Sequence, residues 1–420
     1  MQNFEAVVTK INDAVNGFVW GVPVLSLLIL TGVLMTILTK VFQISHIGYW
    51  LKHTLGSIFK KEINAHVDEK GTVSQFQALC TALAATVGVG NIAGVAGAII
   101  LGGPGAVFWM WVAAFFGMMT NYSENVLGIF YRRKNSKGEW TGGAMYYLRD
   151  GLGGYKGFKH IGKVLAIMFS VFAVLASFGI GNASQIGNIS ANLNNVFAIP
   201  GWVTGILLMI LTGLVVVGGI KRIAAVTEKI VPFMVVLYII GTIAVIVMNI
   251  NRVGAAFGAI FSSIFGIKAV TGGAAGYVFA EVITMGFKRG VFSNEAGLGS
   301  SVMVHSASNV REPVRQGMWG IFEVFTDTII VCTLTALSIL TSGCVDLTTG
   351  VADVADKNAL VSEVFKNSFG AVGGYFIAIA ILLFAFSTVL GWNYYGTKAW
   401  EFLFGTKSTI VYKVIFVLFI

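Results

Sequence analysis

The sequence has 420 residues, of which 56% are hydrophobic and 11% charged, and its mean hydropathy is +0.82. A soluble domain carries about twice that share of charge, and apolar runs of 18 or more residues recur here, so the composition excludes a soluble protein and indicates a polytopic α-helical membrane protein. The formal net charge of +9 does not indicate nucleic-acid binding, because no soluble domain exists to carry such a surface.

The first apolar segment is interpreted as a retained helix and not as a signal peptide. It begins near Gly17 after a polar stretch, and no convincing cleavage motif follows it. Eight more segments are each long enough to cross a hydrocarbon core of about 30 Å, and a tenth begins near residue 409. The predicted spans are 17–39, 74–101, 106–131, 164–191, 201–220, 230–249, 254–287, 316–342, 369–392 and the one from 409.

The positive charges orient these spans. Of the 28 lysines and arginines, 22 fall in the connections 40–73, 132–163, 221–229, 288–315 and 398–407, which share one side if every span crosses once. Only five fall in the connections of the opposite side. Because positively charged loops remain in the cytoplasm, the count predicts a multi-pass protein of the plasma (inner) membrane with its N-terminus outside.

Two apolar segments carry clustered glycines. Residues 81–97 read TALAATVGVGNIAGVAG, with Gly88, Gly90 and the polar Asn91 at their centre. Residues 269–278 read AVTGGAAGYV and lie in a span that crosses in the opposite direction. Glycine costs up to about 1 kcal/mol in a helix interior, and broken helices at bilayer depth persist only where they meet a ligand, an ion or other protein. We therefore expect both helices to be interrupted.

Interrupted helices at corresponding places in two halves are typical of inverted-repeat transporters with a midplane site. The alternative is that the glycines only let helices pack closely. On the first interpretation, residues 1–73 form an extra N-terminal helix with a cytoplasmic loop, residues 74–250 the first repeat of five spans, and residues 251–420 the second. The second repeat stops within its fourth span, so we expect the C-terminal helices to be truncated at Ile420.

Three stretches resemble the alanine/glycine:cation symporter family, the sodium:alanine symporters. Residues 102–117, GGPGAVFWMWVAAFFG, match the family signature at every position, and TVGVGNIAG at 86–94 and RGVFSNEAGLGSS at 289–301 are similar to the same family. The resemblance implies an all-α LeuT-type fold of ten core helices in a five-plus-five inverted repeat with two broken helices. It also implies a sodium-coupled symporter that imports alanine, and glycine as well, by alternating access.

The resemblance places the substrate between the two breaks. Unwound helix ends supply N–H groups for a carboxylate and carbonyls for an ammonium group. By similarity with the neurotransmitter:sodium symporters, whose first core helix also breaks at G-x-G-N, the carboxylate is expected on the amides around Gly88, Val89 and Gly90. The ammonium group is expected at the second break. The carbonyls concerned are those of Thr271, Gly272 and Gly273. Asn91 could bind sodium or the carboxylate, or only bridge two helices.

Adjacent hydroxyls in the ninth span suggest a sodium site. Ser387 and Thr388 offer two such oxygens, although hydroxyls in helices often only bond back to the preceding turn. The corresponding site in LeuT-type transporters joins two hydroxyls to carbonyls of the first broken helix. Mapped by the G-x-G-N spacing, those carbonyls belong to Ala84 and Val87, with Phe384 one turn before the hydroxyls.

Bulky side chains are expected to restrict the pocket to a small substrate. Phe279 and Ile283, four residues apart, share a helix face, and Trp392 lies one turn after Thr388. Further candidates on the fourth span are Phe178, Gly179 and Asn182. Ordinary helix packing is the alternative for each of the aromatic residues.

Carboxylates in or beside the spans are functional candidates because they are costly at that depth. Glu124 is expected to be solvated or paired with the arginines that follow its span. Glu323 and Asp327, four residues apart, are interpreted as an intracellular gate or a structural ion pair, and Glu295 as a helix-end or gate contact on the cytoplasmic side.

A channel and an intramembrane enzyme are the two alternative classes of membrane protein. A channel would need a selectivity-filter motif or a ring of like charges. An intramembrane enzyme would need reactive groups in its helices, whereas the five histidines fall in predicted loops and no H-E-x-x-H pair occurs. The sequence therefore predicts a transporter and not an enzyme. Its predicted partners are alanine, glycine, sodium as the co-transported ion, and the lipid bilayer, with no cofactor and no nucleic acid.

Overall fold

A computed structural model of the chain describes residues 2–58, 71–266, 279–354 and 356–420. The described residues are almost entirely helical. The α-helices are α1 Gln2–Val19, α2 Val22–Leu38, α3 Phe42–Ser45, α4 Ile47–His53, α5 Leu55–Ile58, α6 Gln75–Thr86, α7 Val95–Gly102, α8 Ala106–Phe130, α9 Ala144–Tyr146, α10 Lys159–Phe178, α11 Ser184–Phe197, α12 Gly201–Val216, α13 Gly219–Met248, α14 Val253–Ser262, α15 Phe279–Asn294, α16 Val302–His305, α17 Pro313–Val324, α18 Thr333–Ser342, α19 Lys357–Phe369, α20 Ala371–Phe404 and α21 Thr409–Leu418.

Other elements are short. The π-helical segments are Gly90–Gly94, Tyr147–Gly151, Gly179–Ala183 and Phe325–Cys332, and the 3₁₀ turns are Leu152–Gly154, Ile250–Arg252 and Thr406–Ser408. Strands β1 (Arg133–Lys134) and β2 (Trp140–Thr141) form an antiparallel hairpin in which Arg133 pairs with Thr141. Each π segment adds a residue to a helical turn and rotates the face that follows, a change that is frequent at functional sites.

Five described helices are long and apolar enough to cross a membrane, and the bent pair α6 and Gly90–Gly102 raises the number to six if it is counted as one span. The five are Ala6–Leu38, Lys159–Phe197, Gly219–Met248, Pro313–Ser342 and Ala371–Phe404. Ten spans are predicted from the sequence. Part of the difference comes from helices that are apolar but short, since α12 has 16 residues and α21 has 10.

The predicted span 254–287 differs from the structure. Helix α14 ends at Ser262, α15 begins at Phe279, and the glycine segment 269–278 lies outside the described residues. Within α15, Gly286 abuts Trp109 and Gly290 abuts Ala113, so α15 runs parallel to α8. Residues 288–294 therefore belong to a helix and not to a loop.

This arrangement also corrects one part of the charge count. Arg289 was counted in a connection on the side opposite Lys357, yet both side chains approach Gly97 in the structure. The assignment of Arg289 to that connection is wrong because α15 extends past it to Asn294. The excess of positive charge in the other connections is unaffected.

Helix α20 lies at the centre of the fold and packs against α6, α10, α11, α13 and α19. Small residues permit this close packing, since a Cβ on Gly391 would lie 2.8 Å from the Cβ of Ala85. Helix α6 begins with a capping box. The backbone N–H of Gln77 donates to Oγ of Ser74, and the backbone N–H of Ser74 donates to Oε1 of Gln77. That box fixes where the first interrupted span begins.

The starts and ends of two spans are tied together by backbone hydrogen bonds. Val73, just before α6, donates to the carbonyl of Ala307 at 3.1 Å and accepts from the N–H of Asn309 at 2.9 Å. Ala307 is the second residue after the end of α16. The span that contains α6 and the span that contains α15 and α16 are therefore joined at one end, which aligns their central regions.

Candidate functional site

The first interruption lies between α6 and the π segment that precedes α7. The helix axis bends by 53° across Val87, Gly88 and Val89. The backbone N–H of Gly88 donates to the side-chain Oδ1 of Asn91 at 2.9 Å, and Asn91 donates its own N–H to the carbonyl of Gly88 at 3.1 Å. Asn91 thus closes the break on itself, as an amide with both a donor and an acceptor can do.

The nitrogen of the Asn91 side chain is also occupied. It donates to Oδ1 of Asp327 at 2.6 Å, while the other carboxylate oxygen accepts from Ser293 at 2.9 Å and from Thr328 at 2.8 Å. All four residues are buried. Of the roles considered for Asn91 from the sequence, bridging two helices is the one that the hydrogen bonds describe.

The described residues contain a second interruption, at 295–301, between α15 and α16. Three residues there adopt left-handed backbone conformations, with φ of 55° at Glu295, 91° at Gly297 and 71° at Gly299. A Cβ at either glycine would come within 2.8 Å of a neighbouring carbon atom, so glycine is required for space as well as for φ. The stretch that was interpreted as a cytoplasmic loop is the break of this span.

Glu124 holds the second interruption in place. Its carboxylate accepts hydrogen bonds from the backbone N–H groups of Gly297 at 3.1 Å and Gly299 at 2.9 Å. The sequence suggested solvation or pairing with Arg132 and Arg133. Arg132 instead donates to the carbonyls of the segment that follows α16, and Arg133 pairs with Asp150.

A cavity of about 180 Å³ lies where the two interruptions meet. Gly88 and Gly90 line it from the first break, and Glu295 and Leu298 from the second. Thr388 of α20 completes the polar part of the wall. The two interruptions of the described residues therefore border one small space, and the second break predicted at 269–278 lies outside the described residues.

Aromatic rings enclose this cavity. Trp20, Phe292 and Trp392 all line it, and the rings of Trp20 and Phe292 lie 5.9 Å apart. Trp20 belongs to the N-terminal segment between α1 and α2, which was not among the predicted site residues. Such walls favour a small ligand and leave polar contacts to the few oxygen and nitrogen atoms that reach the space.

Two side chains offer acceptor oxygens to the cavity. Glu295 is 6% exposed and accepts a hydrogen bond from Ser300 through Oε2. Gln185 donates through Nε2 to the carbonyl of Ile180 at 3.0 Å, and among the described residues its Oε1 has no hydrogen-bond partner. A carboxylate and an amide oxygen that face one small space can receive a cationic donor such as an ammonium group.

Oxygen atoms gather beside the first break. Ser387 Oγ lies 3.3 Å from the carbonyl oxygen of Ala84 and 2.9 Å from that of Phe384, and Thr388 Oγ1 lies 2.9 Å from the latter. A Cβ on Gly88 would come within 2.6 Å of Thr388 Oγ1, so the hydroxyl touches the break. Val87 is buried there as well. Both hydroxyls donate to the carbonyl of the preceding turn, as hydroxyls in helices often do. Both also face the first broken helix.

The structure places other candidate residues away from the cavity. Phe178 packs against the ring of Tyr412, and Asn182 donates to the carbonyl of Phe416 at 2.8 Å. Phe279 is 44% exposed beside Trp109, and Ile283 packs with the cluster that contains Phe287.

The remaining candidates lie at the breaks or outside the described residues. Gly179 begins a π segment, whereas its neighbours Ala176 and Ile180 line the cavity. Val89 is buried at the first break. Thr271, Gly272 and Gly273 lie outside the described residues.

A second buried polar network lies beyond Glu295. Glu323 Oε2 accepts from Asn121 at 2.9 Å and contacts His305 Nε2 at 3.0 Å, and the other ring nitrogen of His305 contacts Gln316. His305 belongs to α16 and is buried, so the prediction that it lies in a loop is wrong. Glu323 and Asp327 share a helix, as expected, but each bonds to a different set of partners.

Some cavity residues were missed by the sequence analysis. Trp20 and Gln185 carry no motif that marks them, and Phe292 lies in the quoted stretch 289–301 but was not picked out as a site residue. Only the fold brings the three together. Glu295 was singled out but assigned to a cytoplasmic gate. The signal that could have corrected this assignment is the run NEAGLG, whose glycines follow a polar residue much as Gly88 and Gly90 precede Asn91.

Comparisons with known proteins place the whole chain in one family of transporters. The model of the sodium:alanine symporter family matches residues 5–420. The sodium/alanine symporter AgcS of Methanococcus maripaludis is 44% identical over 408 residues, which cover 97% of this chain and 86% of that protein.

Solved structures show the same architecture. MhsT, in a complex with L-phenylalanine, is similar with a TM-score of 0.55 and 16% identity over 82% of this chain and 78% of that one. A manganese transporter of Eremococcus coleocola is similar with a TM-score of 0.54 and 12% identity over 82% and 69%. Both have the LeuT-type fold, and at these identities the likeness establishes the fold alone.

Proposed function

The chain belongs to the sodium:alanine symporter family, and from this premise we propose that it imports alanine, and glycine as well, together with sodium by alternating access. The observation that carries the proposal is the cavity bordered by both interrupted spans and by Thr388. A symporter must bind substrate and ion in adjacent sites so that each favours the binding of the other.

The size of the cavity supports a small amino acid. An apolar cavity of about 150 Å³ accepts benzene, which has six non-hydrogen atoms, and alanine also has six. The cavity between the breaks measures about 180 Å³. The rings of Trp20, Phe292 and Trp392 then limit the side chain, at about 1–3 kcal/mol for each added methylene group.

The charges of the substrate are assigned to opposite breaks. We place its carboxylate at Gly88, Val89 and Gly90, where the chain re-enters a helix and the N-terminal dipole favours an anion. We place its ammonium group at the carboxylate of Glu295, with Gln185 Oε1 as a second acceptor. Because the cavity is lined mainly by apolar groups, this ion pair would be stronger than at the protein surface.

The sodium ion is assigned to the oxygen cluster on the other side of Gly88. Its proposed ligands are the hydroxyls of Ser387 and Thr388 with the carbonyl groups of Ala84 and Val87, and Phe384 supplies the carbonyl that orients both hydroxyls. Gly88 is common to both sites, since it lines the cavity and touches Thr388. Occupation of one site would therefore order the other.

The energetics of this transport are sufficient. One sodium ion that crosses a potential of about 100 mV contributes about 2.3 kcal/mol, and a tenfold sodium gradient adds about 1.4 kcal/mol. At one-to-one coupling, the sum supports an accumulation of roughly a few hundredfold. We also propose the plasma membrane as the location and an external N-terminus, on the excess of positive charge in the connections assigned to the cytoplasm.

The test is uptake of labelled alanine into proteoliposomes with an imposed inward sodium gradient. We expect saturable uptake that exceeds the equilibrium level and is accompanied by inward current. Potassium in place of sodium, and liposomes without protein, are the controls. Uptake that proceeds equally with either cation would exclude sodium symport, and flux without saturation would indicate a channel.

A further inference from the structure

A second cavity, of about 340 Å³, lies at the C-terminal end of α20, which is the cytoplasmic end in the proposed orientation. The inner end of α20, helix α21, the connection between α12 and α13, and the β-hairpin surround it. None of its lining residues also lines the cavity between the breaks. It lies among connections rich in lysine and arginine, and transport as proposed above does not use it.

Positive charge dominates this cavity, which we call the basic cavity. Its charged lining residues are Lys137, Lys221, Lys398, Lys413, Glu139 and Glu401. Lys398 and Glu401 form a buried pair at 3.0 Å and cancel each other. The remaining three ammonium groups face one carboxylate, which leaves an excess of two positive charges. A recess with such an excess attracts an anion, because an anion placed between the like charges relieves their mutual repulsion.

Neutral polar groups in the basic cavity lack partners. Both Oδ1 and Nδ2 of Asn393 have no hydrogen-bond partner among the described residues, and the same is true of the Tyr394 hydroxyl. Asn393 is fully buried and Tyr394 is 4% exposed, and both line the cavity. Buried side-chain amides and hydroxyls are nearly always hydrogen-bonded in folded proteins. A ligand in the cavity supplies the missing acceptor and donor.

We propose that the basic cavity binds a phosphate group, with the headgroup of an anionic phospholipid as the favoured source. A phosphate accepts hydrogen bonds from lysine ammonium groups, from the Asn393 amide and from the Tyr394 hydroxyl. A headgroup hydroxyl can donate to Asn393 Oδ1, as a P–OH group of free phosphate also can, so the preference for a lipid rests on the apolar surface beside the cavity. Val217, which also lines the cavity, is 73% exposed, so an apolar surface for an acyl chain adjoins it. Basic recesses between helices on the cytoplasmic side are known to bind such headgroups.

Lys413 connects the proposed ligand to the fold. Its ammonium group donates to the carbonyl of Val216 at 3.0 Å, at the end of α12. A bound phosphate would therefore link α12, α20 and α21 through one ion. This role concerns binding and stability, so failure of the alanine uptake test would leave it unaffected.

The experiment measures lipid binding to the purified protein in detergent by native mass spectrometry, with phosphatidylglycerol, phosphatidylcholine and inorganic phosphate as separate probes. We expect phosphatidylglycerol to bind and to raise the thermal unfolding midpoint, and phosphatidylcholine to do neither. The double variant Lys221→Gln, Lys413→Gln should bind phosphatidylglycerol about tenfold or more weakly. The matched control, Lys156→Gln with Lys159→Gln, removes two exposed lysines outside the cavity and should bind as the wild type does.

Each outcome decides the proposal. If inorganic phosphate raises the midpoint of the wild type but not of the double variant, and phosphatidylglycerol raises neither, the ligand is a soluble phosphate and not a lipid. If both double variants lose binding equally, the effect is general surface charge and the site is refuted. Asn393→Leu provides a second variant that keeps every charge, and its unchanged lipid binding would also overturn the proposal. Lys221→Gln alone, at an exposed position, covers the case in which Lys413→Gln impairs folding.

Discussion

The two interrupted spans are held open in different ways. At the first break, the acceptor for the Gly88 N–H is Asn91 of the same segment, and Asp327 secures that side chain. At the second break, the acceptor is Glu124 of helix α8, which binds two backbone N–H groups directly. The first break omits three residues from the helix, whereas the second omits seven and has three left-handed residues. The shorter break closes on itself, and the longer one depends on a neighbour.

The comparison also reveals a crossed arrangement. Glu124 lies in α8, which follows the first break, and holds the second break. Asp327 lies in the span that follows the second break and secures the first break. Each acidic residue therefore couples the span after one break to the other break. In the alternating access that we propose, such contacts would let movement at one break be transmitted to the other.

The largest effect on stability is expected when the second break loses the carboxylate of Glu124. Glu124→Ala leaves two buried N–H groups unpaired, at about 1–3 kcal/mol each, so the free energy of unfolding should fall by about 2–6 kcal/mol. Thermal unfolding in detergent measures this change. Glu312→Ala removes a carboxylate from an exposed pair with Arg315 and should change stability by less than about 1 kcal/mol. Equal midpoints for both variants would contradict the assigned role of Glu124.

A slightly smaller effect is expected at the carboxylate that faces the cavity. Glu295→Gln keeps an acceptor for Ser300 but removes the charge that we assign to the substrate ammonium. Loss of one partner of a buried charge pair costs about 2–5 kcal/mol, so the alanine concentration for half-maximal uptake should rise at least about thirtyfold. Glu281→Gln, at an exposed position in α15 before the second break, is the control. An unchanged alanine requirement would remove Glu295 from the site.

A more modest effect is expected on the sodium side of the first break. Thr388→Ala removes one of the proposed sodium ligands, and the sodium concentration for half-maximal uptake should rise about tenfold, equivalent to about 1.4 kcal/mol. Thr341→Ala removes another buried hydroxyl that bonds back to its own helix, to the carbonyl of Leu337, and should leave the sodium dependence unchanged. If both variants respond to sodium alike, Thr388 is structural only.

The two breaks also differ in how far the sequence predicted them. The first was predicted because Gly88, Gly90 and Asn91 stand within an otherwise apolar run, where polar and flexible residues are conspicuous. The second follows Lys288 and Arg289, and a carboxylate beside basic residues resembles a solvated loop. Only the tertiary contacts of Gly297 and Gly299 with Glu124 bury this stretch, and no local pattern encodes a partner that lies more than 170 residues away.

Helix faces near the site were harder to predict than the helices themselves. The fourth span was correctly identified as a long helix, Lys159–Phe197 in the structure, and was expected to face the site through Phe178, Gly179 and Asn182. The residues that line the cavity are instead Ala176 before the π segment Gly179–Ala183, Ile180 within it and Gln185 after it. The π segment rotates the surface that follows it. A single inserted residue changes the face without any change in hydrophobic composition.

The smallest effect on transport is expected for Gly90→Ala, and Gly88→Ala provides the comparison. A Cβ on Gly90 would lie 3.9 Å from the Phe292 ring, an ordinary contact, whereas a Cβ on Gly88 would lie 2.6 Å from Thr388 Oγ1. Gly90→Ala should therefore change the alanine requirement by less than about fivefold, or about 1 kcal/mol, and it should stabilise the helix slightly because alanine loses less entropy on folding. Gly88→Ala should raise the sodium requirement more strongly, since α20 or the break must move. Uptake assays over a range of sodium and alanine concentrations measure both effects. Equal impairment by the two substitutions would show that the first break has no preferred side for the ion.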